Sequence, residues 1–136
     1  MGVGLPGEID LLQSQLAQRA LRATRHVLEQ TERFVNELGK RLLVVLSYSR
    51  GGVMRALQDE PAWDQALVDF LRTRDYPFID LRDAHRAEFA RLGGSPDEYL
   101  DRYYIGHYAP AGNYFFAHAL KDALVDWLDP RPLPYQ

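Results

Sequence analysis

Leu42-Leu43-Val44-Val45-Leu46 is the stretch whose reading decides the fold. A continuous apolar run with no polar face reads as a strand covered on both sides, typically within a parallel sheet. Ser47-Tyr48-Ser49-Arg50-Gly51-Gly52 leaves its C-terminal end, where open α/β sheets bind their ligands. Before the strand, a long helix is expected over Glu8–Leu38. Ile9, Leu12, Leu16, Ala20, Ala23, Val27, Thr31, Phe34 and Leu38 recur at steps of three and four, which makes one helical stripe. Leu21, Leu28 and Val35 form a seven-spaced row beside it, so the apolar face is wide. Gly39 stands where a helix stops.

After the strand, Val53–Gln58 reads as a short helical turn. Pro61 fits the first position of a further helix with Trp63, Leu67, Phe70 and Leu71 on its inner face. Tyr76–Leu81 reads as a second strand, placed at an edge by Pro77. Asp83–Leu92 follows as a helix on Ala84, Ala87, Phe89 and Leu92, ended by Gly93-Gly94. Ser95-Pro96-Asp97-Glu98 is a helix start, with Ser at the cap, Pro first and Glu third, and the helix runs to about Tyr103. A last helix spans Ala111–Leu128, with Phe116, Leu120, Ala123 and Trp127 facing in. Residues 129–136 form a Pro-rich tail, expected to be extended and polyproline-like. Alternating helices and strands imply a three-layer α/β unit with right-handed crossovers.

The 136 residues are the size of one domain, and 46 % hydrophobic with 26 % charged is ordinary globular composition. A net charge of −3 offers no electrostatic grip on nucleic acid. There is no cysteine, hence no disulfide framework and no thiolate chemistry. No run approaches the roughly 18 apolar residues of a membrane helix. Residues 1–6 lack the basic and apolar regions of a secretory signal, so the expectation is a soluble, cytoplasmic protein. No histidine or carboxylate spacing matches a metal site, and no cofactor motif is present.

One stretch looks built to present a reactive side chain: Tyr103-Tyr104-Ile105-Gly106-His107-Tyr108-Ala109-Pro110-Ala111-Gly112-Asn113. His107 sits in a Gly- and Pro-punctuated loop just before the last helix. With Phe78-Ile79-Asp80-Leu81 upstream and Phe115–Leu120 opening the closing helix, this part resembles the C-terminal part of the SGNH (GDSL-type) hydrolases. In that family a loop close to Asp-x-x-His-x-x-Pro-x-Gly carries the catalytic histidine. Leu42–Leu46 and the helix before it are similar to the family's fourth strand and its leading helix. The resemblance covers residues 8–128; only His107–Asn113 is motif-specific.

The resemblance implies a flavodoxin-like SGNH-type unit, truncated, with few parallel strands flanked by helices. It implies metal-free hydrolysis of an ester or acyl group, with a small ester as substrate and His107 at the catalytic position. The departures are specific. The chain has no Gly-Asp-Ser nucleophile block and no Gly-x-Asn-Asp, and Tyr104 stands where the triad aspartate belongs. Asp101 and Asp83 are the alternative carboxylates to orient His107, and Ser47 is a makeshift nucleophile beside the strand end. The plainer reading makes Ser47 and Ser49 turn hydroxyls capping the next helix. It makes His26 and His85 helix-surface residues, His118 structural, and Tyr99, Tyr103, Tyr104, Tyr108 and Tyr114 a core edge with hydroxyls reaching water.

A strand as apolar as Leu42–Leu46 with an unpaired edge is an association site. A homo-oligomer is therefore expected, most simply a dimer pairing these strands across a two-fold axis and burying the first helix. Two expectations follow: an SGNH-like hydrolase domain incomplete as this chain, or a non-catalytic oligomeric α/β interaction module.

Overall fold

The computed structural model describes the backbone of residues 6–135 and the side chains of residues 14–134. In chain order it contains α1 (Pro6–Glu37), β1 (Val44–Leu46), α2 (Arg50–Leu57), α3 (Gln65–Thr73), β2 (Phe78–Asp80), α4 (Leu81–Leu92), α5 (Pro96–Tyr103) and α6 (Pro110–Trp127). The strands pair in parallel, with Val44 opposite Phe78, Val45 opposite Ile79 and Leu46 opposite Asp80. The chain is thus mostly helical with two short parallel strands. The helix–strand alternation read from the sequence is present, but a flavodoxin-like layering is not shown by a two-stranded sheet. Residues 42–46 are only half-buried. A run that apolar needs neighbours and cover on both faces to sink fully, and a single paired strand supplies one side.

The chain divides into two compact units, Met1–Leu43 with Trp63–Pro77, and Val44–Ala62 with Phe78–Gln136. In the first, α1 packs on α3. The buried row of α1 is the seven-spaced one, with Leu21 buried and Leu28 and Val35 half-buried. Leu67, Val68, Phe70 and Leu71 form the buried face of α3. Arg25 lays its guanidinium 4.5 Å from the Phe70 ring centre, and the Tyr76 hydroxyl donates to the Glu32 carboxylate at 2.7 Å. Burial, and then Glu32, push the Tyr76 hydroxyl up to about 12.

The three-four stripe is not the buried face. Leu16, Val27, Phe34 and Leu38 are each 57–63 % exposed, because α3 covers the neighbouring row. Ile9 and Leu12, of the same stripe, lie outside the residues with described side chains, as does the lead-in at residues 1–5. Trp63, expected inside, is 57 % exposed; α3 starts at Gln65, later than Pro61 suggested.

The second unit packs α2, α4, α5 and α6 around Val53, Leu81, Tyr99, Leu100 and Tyr104, all buried. Complete burial of each aliphatic member contributes about 1.5–3 kcal/mol. Among the described residues, three helices begin on capping side chains. Ser49 Oγ accepts the Gly52 N–H at 3.3 Å, so the turn-capping role falls to Ser49. An Asp80 oxygen accepts the Arg82 N–H, and Ser95 opens α5. Leu120 of α6 is buried and Phe116, Ala123 and Trp127 are half-buried, as the periodicity implied. The tail closes in a 3-10 turn at Leu133–Tyr135 where an extended polyproline segment was expected; Gln136 lies outside the described residues.

Candidate functional site

The loop at residues 104–109 is held from both sides. Upstream, Ser95 Oγ accepts the Glu98 N–H at 3.2 Å and the Glu98 carboxylate accepts the Ser95 N–H at 3.1 Å. That backbone donor holds the Glu98 carboxyl below its usual range. This box fixes the start of α5, which ends at Tyr103. The chain then reverses in a tight pin. Ala109 N–H donates to the Tyr103 carbonyl and Ile105 N–H to that of His107, each at 2.8 Å. Gly106, with φ at +93°, makes the reversal that side chains resist.

Downstream, Pro110 opens α6 and Gly112 lies in its first turn. A Cβ at Gly112 would collide with the Tyr103 carbonyl and stand 2.6 Å from the Tyr108 ring. The Pro and Gly of His-x-x-Pro-x-Gly therefore have a mechanical reason. They start α6 and let its first turn lie directly on the pin that carries the histidine.

His107 is exposed at the tip of the pin. Its Nδ1 is 2.9 Å from the Tyr108 carbonyl oxygen. A carbonyl only accepts, so Nδ1 carries the proton and the Nε2 lone pair is left for other work. That is the tautomer a general base needs. A carbonyl, however, brings no negative charge to stabilise an imidazolium as a triad aspartate does. Tyr104, in the aspartate's place, is buried and donates its hydroxyl to the Tyr48 carbonyl at 3.0 Å. Tyr48 lies two residues beyond β1, so the pin sits at the C-terminal end of that strand.

The other sequence candidates are not gathered here. Asp101 accepts from Arg50 Nη2 at 2.8 Å, alongside Asp97 at 2.7 Å. Both carboxylates raise the Arg50 pKa, Asp97 most. Arg50 is thereby engaged by side chains, and Gly51 and Gly52 lie inside α2. Asp83 pairs with Arg86 at 3.3 Å. Ser47 is exposed, and among the described residues no hydrogen bond joins it, Asp83 or Asp101 to His107.

The histidine with the richest surroundings is His85, which the sequence placed on a helix surface. It is completely buried. Its Nδ1 is 2.8 Å from the Tyr99 hydroxyl; its Nε2 is 3.1 Å from that of Tyr108 and 3.3 Å from that of Tyr104. The Phe115 ring centre is 4.5 Å away. Burial pushes the imidazole down to about 4, so it is neutral at physiological pH. Burial likewise raises Tyr99, Tyr104 and Tyr108. Tyr99 and Tyr104 thus aim their hydroxyls inward, not at water. The signal was available: Leu81, His85 and Phe89 are four apart and share one face of α4. Beside them, buried Arg82 pairs with Asp80 at 2.6 Å and lies 4.4 Å from the Tyr48 ring centre.

On the outer side, a groove of about 820 Å³ runs between α4 and α6, lined in part by Glu88, Tyr103, Tyr114, Phe115 and His118. Arg91, and then Tyr103, hold the Glu88 carboxyl below its usual range. Among the described residues, no group of three or more His, Asp or Glu side chains is placed to hold a metal ion. None of the described helices is long and apolar enough to cross a membrane.

Comparison with protein-family models, with curated proteins and with solved structures yields no match.

Proposed function

We propose that the chain is a non-catalytic interaction module built on an SGNH-type hydrolase scaffold, keeping the loop of the family's catalytic histidine without the chemistry. One observation carries this reading. The only hydrogen bond of His107 among the described residues is to the Tyr108 carbonyl, while Asp101 is committed to Arg50. Base, orienting carboxylate and nucleophile are separate groups, and a triad works only as a bonded chain. Association through the Leu42–Leu46 edge and the first helix belongs to the same reading. The exposed stripe of α1 supports the helix, and the half-buried residues 42–46 support the edge.

A second reading is favoured by the tautomer of His107. With Nδ1–H held by a carbonyl, Nε2 is free to accept a proton at the end of β1, where an ester would bind. Hydrolysis of p-nitrophenyl acetate separates the two. The module reading gives a rate linear in substrate and equal within error in wild type and His107→Ala, after allowing for one imidazole. A saturable rate abolished by His107→Ala selects an SGNH-type esterase.

A further inference from the structure

The exposed stripe of α1 reads the same in both directions. From Leu16 through Ala20, Ala23, Val27, Thr31 and Phe34 to Leu38 the steps are four, three, four, four, three, four. The sequence of steps is symmetric about Val27. It also contains an eleven-residue repeat: Leu16, Val27 and Leu38 are eleven apart, as are Ala23 and Phe34. Eleven residues make three turns at about 3.67 residues each, so the stripe runs nearly parallel to the axis of an ordinary helix. A long straight seam results, and α3 leaves it open.

We propose that α1 docks antiparallel on α1 of a second copy of this chain, about a two-fold axis passing at Val27. This rests on the reading of the chain as a self-associating module and names its partner surface. Under the two-fold operation every member of the stripe meets another member. Leu16 faces Leu38 of the second copy, Ala20 faces Phe34, Ala23 faces Thr31, and Val27 faces itself. Size complements size, because the largest side chain lies over an alanine.

Charge selects the same arrangement. Arg19 and Glu37 are eighteen residues apart, which is five turns of helix, so both lie on one edge of the stripe, and both are exposed. Antiparallel pairing brings Arg19 of each copy to Glu37 of the other, once at each end of the seam. A parallel pair in register puts the edges that carry Arg19 and Glu37 on opposite sides of the seam, so neither ion pair forms, and it sets Phe34 against Phe34, which bulk opposes.

The absence of cysteine makes the geometry testable. Light scattering on the whole chain at micromolar concentration is expected to give twice the 15.6 kDa of one copy. Phe34→Glu, on an exposed position, is expected to give the monomer, with the melting temperature of wild type diluted until it too is monomeric. Arg19→Glu is expected to weaken dimerisation about fivefold and Arg19→Glu with Glu37→Arg to restore it, an effect that fades in high salt. Under mild oxidation Val27→Cys is expected to cross-link to itself. Leu16→Cys mixed with Leu38→Cys is expected to cross-link, and neither alone. Self-linking of Leu16→Cys, or a dimer indifferent to Phe34→Glu, overturns the antiparallel seam and leaves a module joined elsewhere, as at the strand edge. A monomer in wild type overturns both the seam and the self-associating module.

Discussion

The Tyr99 hydroxyl lies 2.8 Å from Nδ1 of His85, with both side chains essentially sealed from solvent. Among the described residues His85 is the only hydrogen-bond partner of that hydroxyl, so Tyr99 donates its proton to Nδ1. His85 must then carry its own proton on Nε2, directed at the Tyr108 oxygen. The Tyr104 proton is already given to the Tyr48 carbonyl, which leaves its oxygen free to share that donor. One neutral imidazole thereby ties α4, α5 and the pin together.

That neutrality sets a pH dependence. Below its ordinary value of 6.5 the unfolded chain protonates His85, while the folded chain resists until about 4. The native state therefore loses stability as pH falls from about 6.5 towards 4, by up to about 3 kcal/mol. Glu88 and Glu98, held low by Arg91 and by Ser95, begin to lose their contributions only near 4.5, so the upper part of the window belongs to His85. Urea unfolding at pH 7 and pH 5 measures it. His85→Gln is expected to flatten the change, and an unfolding free energy already flat in wild type contradicts the neutral buried imidazole.

Tyr99→Phe removes the donor and leaves Nδ1 buried without a partner. The expected cost is about 1–3 kcal/mol. Tyr108→Phe should cost less, because Tyr108 is half-buried and its bond is longer, at 3.1 Å. Thermal melts of the two variants rank them, and the reverse order contradicts Tyr99 as the more tightly held partner of His85.

How much of this was legible depended on whether a local pattern and the tertiary outcome agreed. The caps at Ser49 and Ser95 and the span of α1 are local chemistry, and the sequence displays them openly. The choice between the two apolar rows of α1 is tertiary. Leu16 and Phe34 are as apolar as Leu21 and Leu28, and only the docking of α3 separates them. His85 reads as surface in the sequence because it is a polar type on a helix rich in Arg, Asp and Glu. What buries it is three tyrosine hydroxyls arriving from α5 and the pin, up to 23 residues away in sequence. The loop of His107 was visible as a motif, and its Pro and Gly are explained by the turn they build. The link from Asp101 to Arg50, across 51 residues, has no sequence signature.

Ser95→Ala tests how firmly the pin is anchored from upstream. It deletes the acceptor for Glu98 N–H and releases the Glu98 carboxylate from its reciprocal bond. A loss of about 1 kcal/mol is expected. Ser49→Ala, whose bond is longer at 3.3 Å, should cost less. Chemical denaturation of both variants checks the ranking; equal costs would show that the capping box adds nothing beyond a single cap.

Gly112→Ala and Gly51→Ala form the sharpest pair, because the same chemical change should act in opposite directions. Both glycines lie near the starts of helices, where alanine is intrinsically better by up to about 1 kcal/mol. A Cβ at Gly51 meets open space, so Gly51→Ala should stabilise the protein by about 0.5 kcal/mol. A Cβ at Gly112 runs into the Tyr103 carbonyl, a backbone atom fixed by its bond from Ala109 N–H. It also presses on the Tyr108 ring, whose hydroxyl takes the His85 proton. Neither neighbour can yield without breaking the pin or the buried network, so Gly112→Ala should destabilise by about 3 kcal/mol. Amide spectra should show the damage concentrated at residues 103–112 and at His85. A Gly112→Ala protein as stable as wild type, with those signals unmoved, would mean that α6 does not rest on the histidine pin.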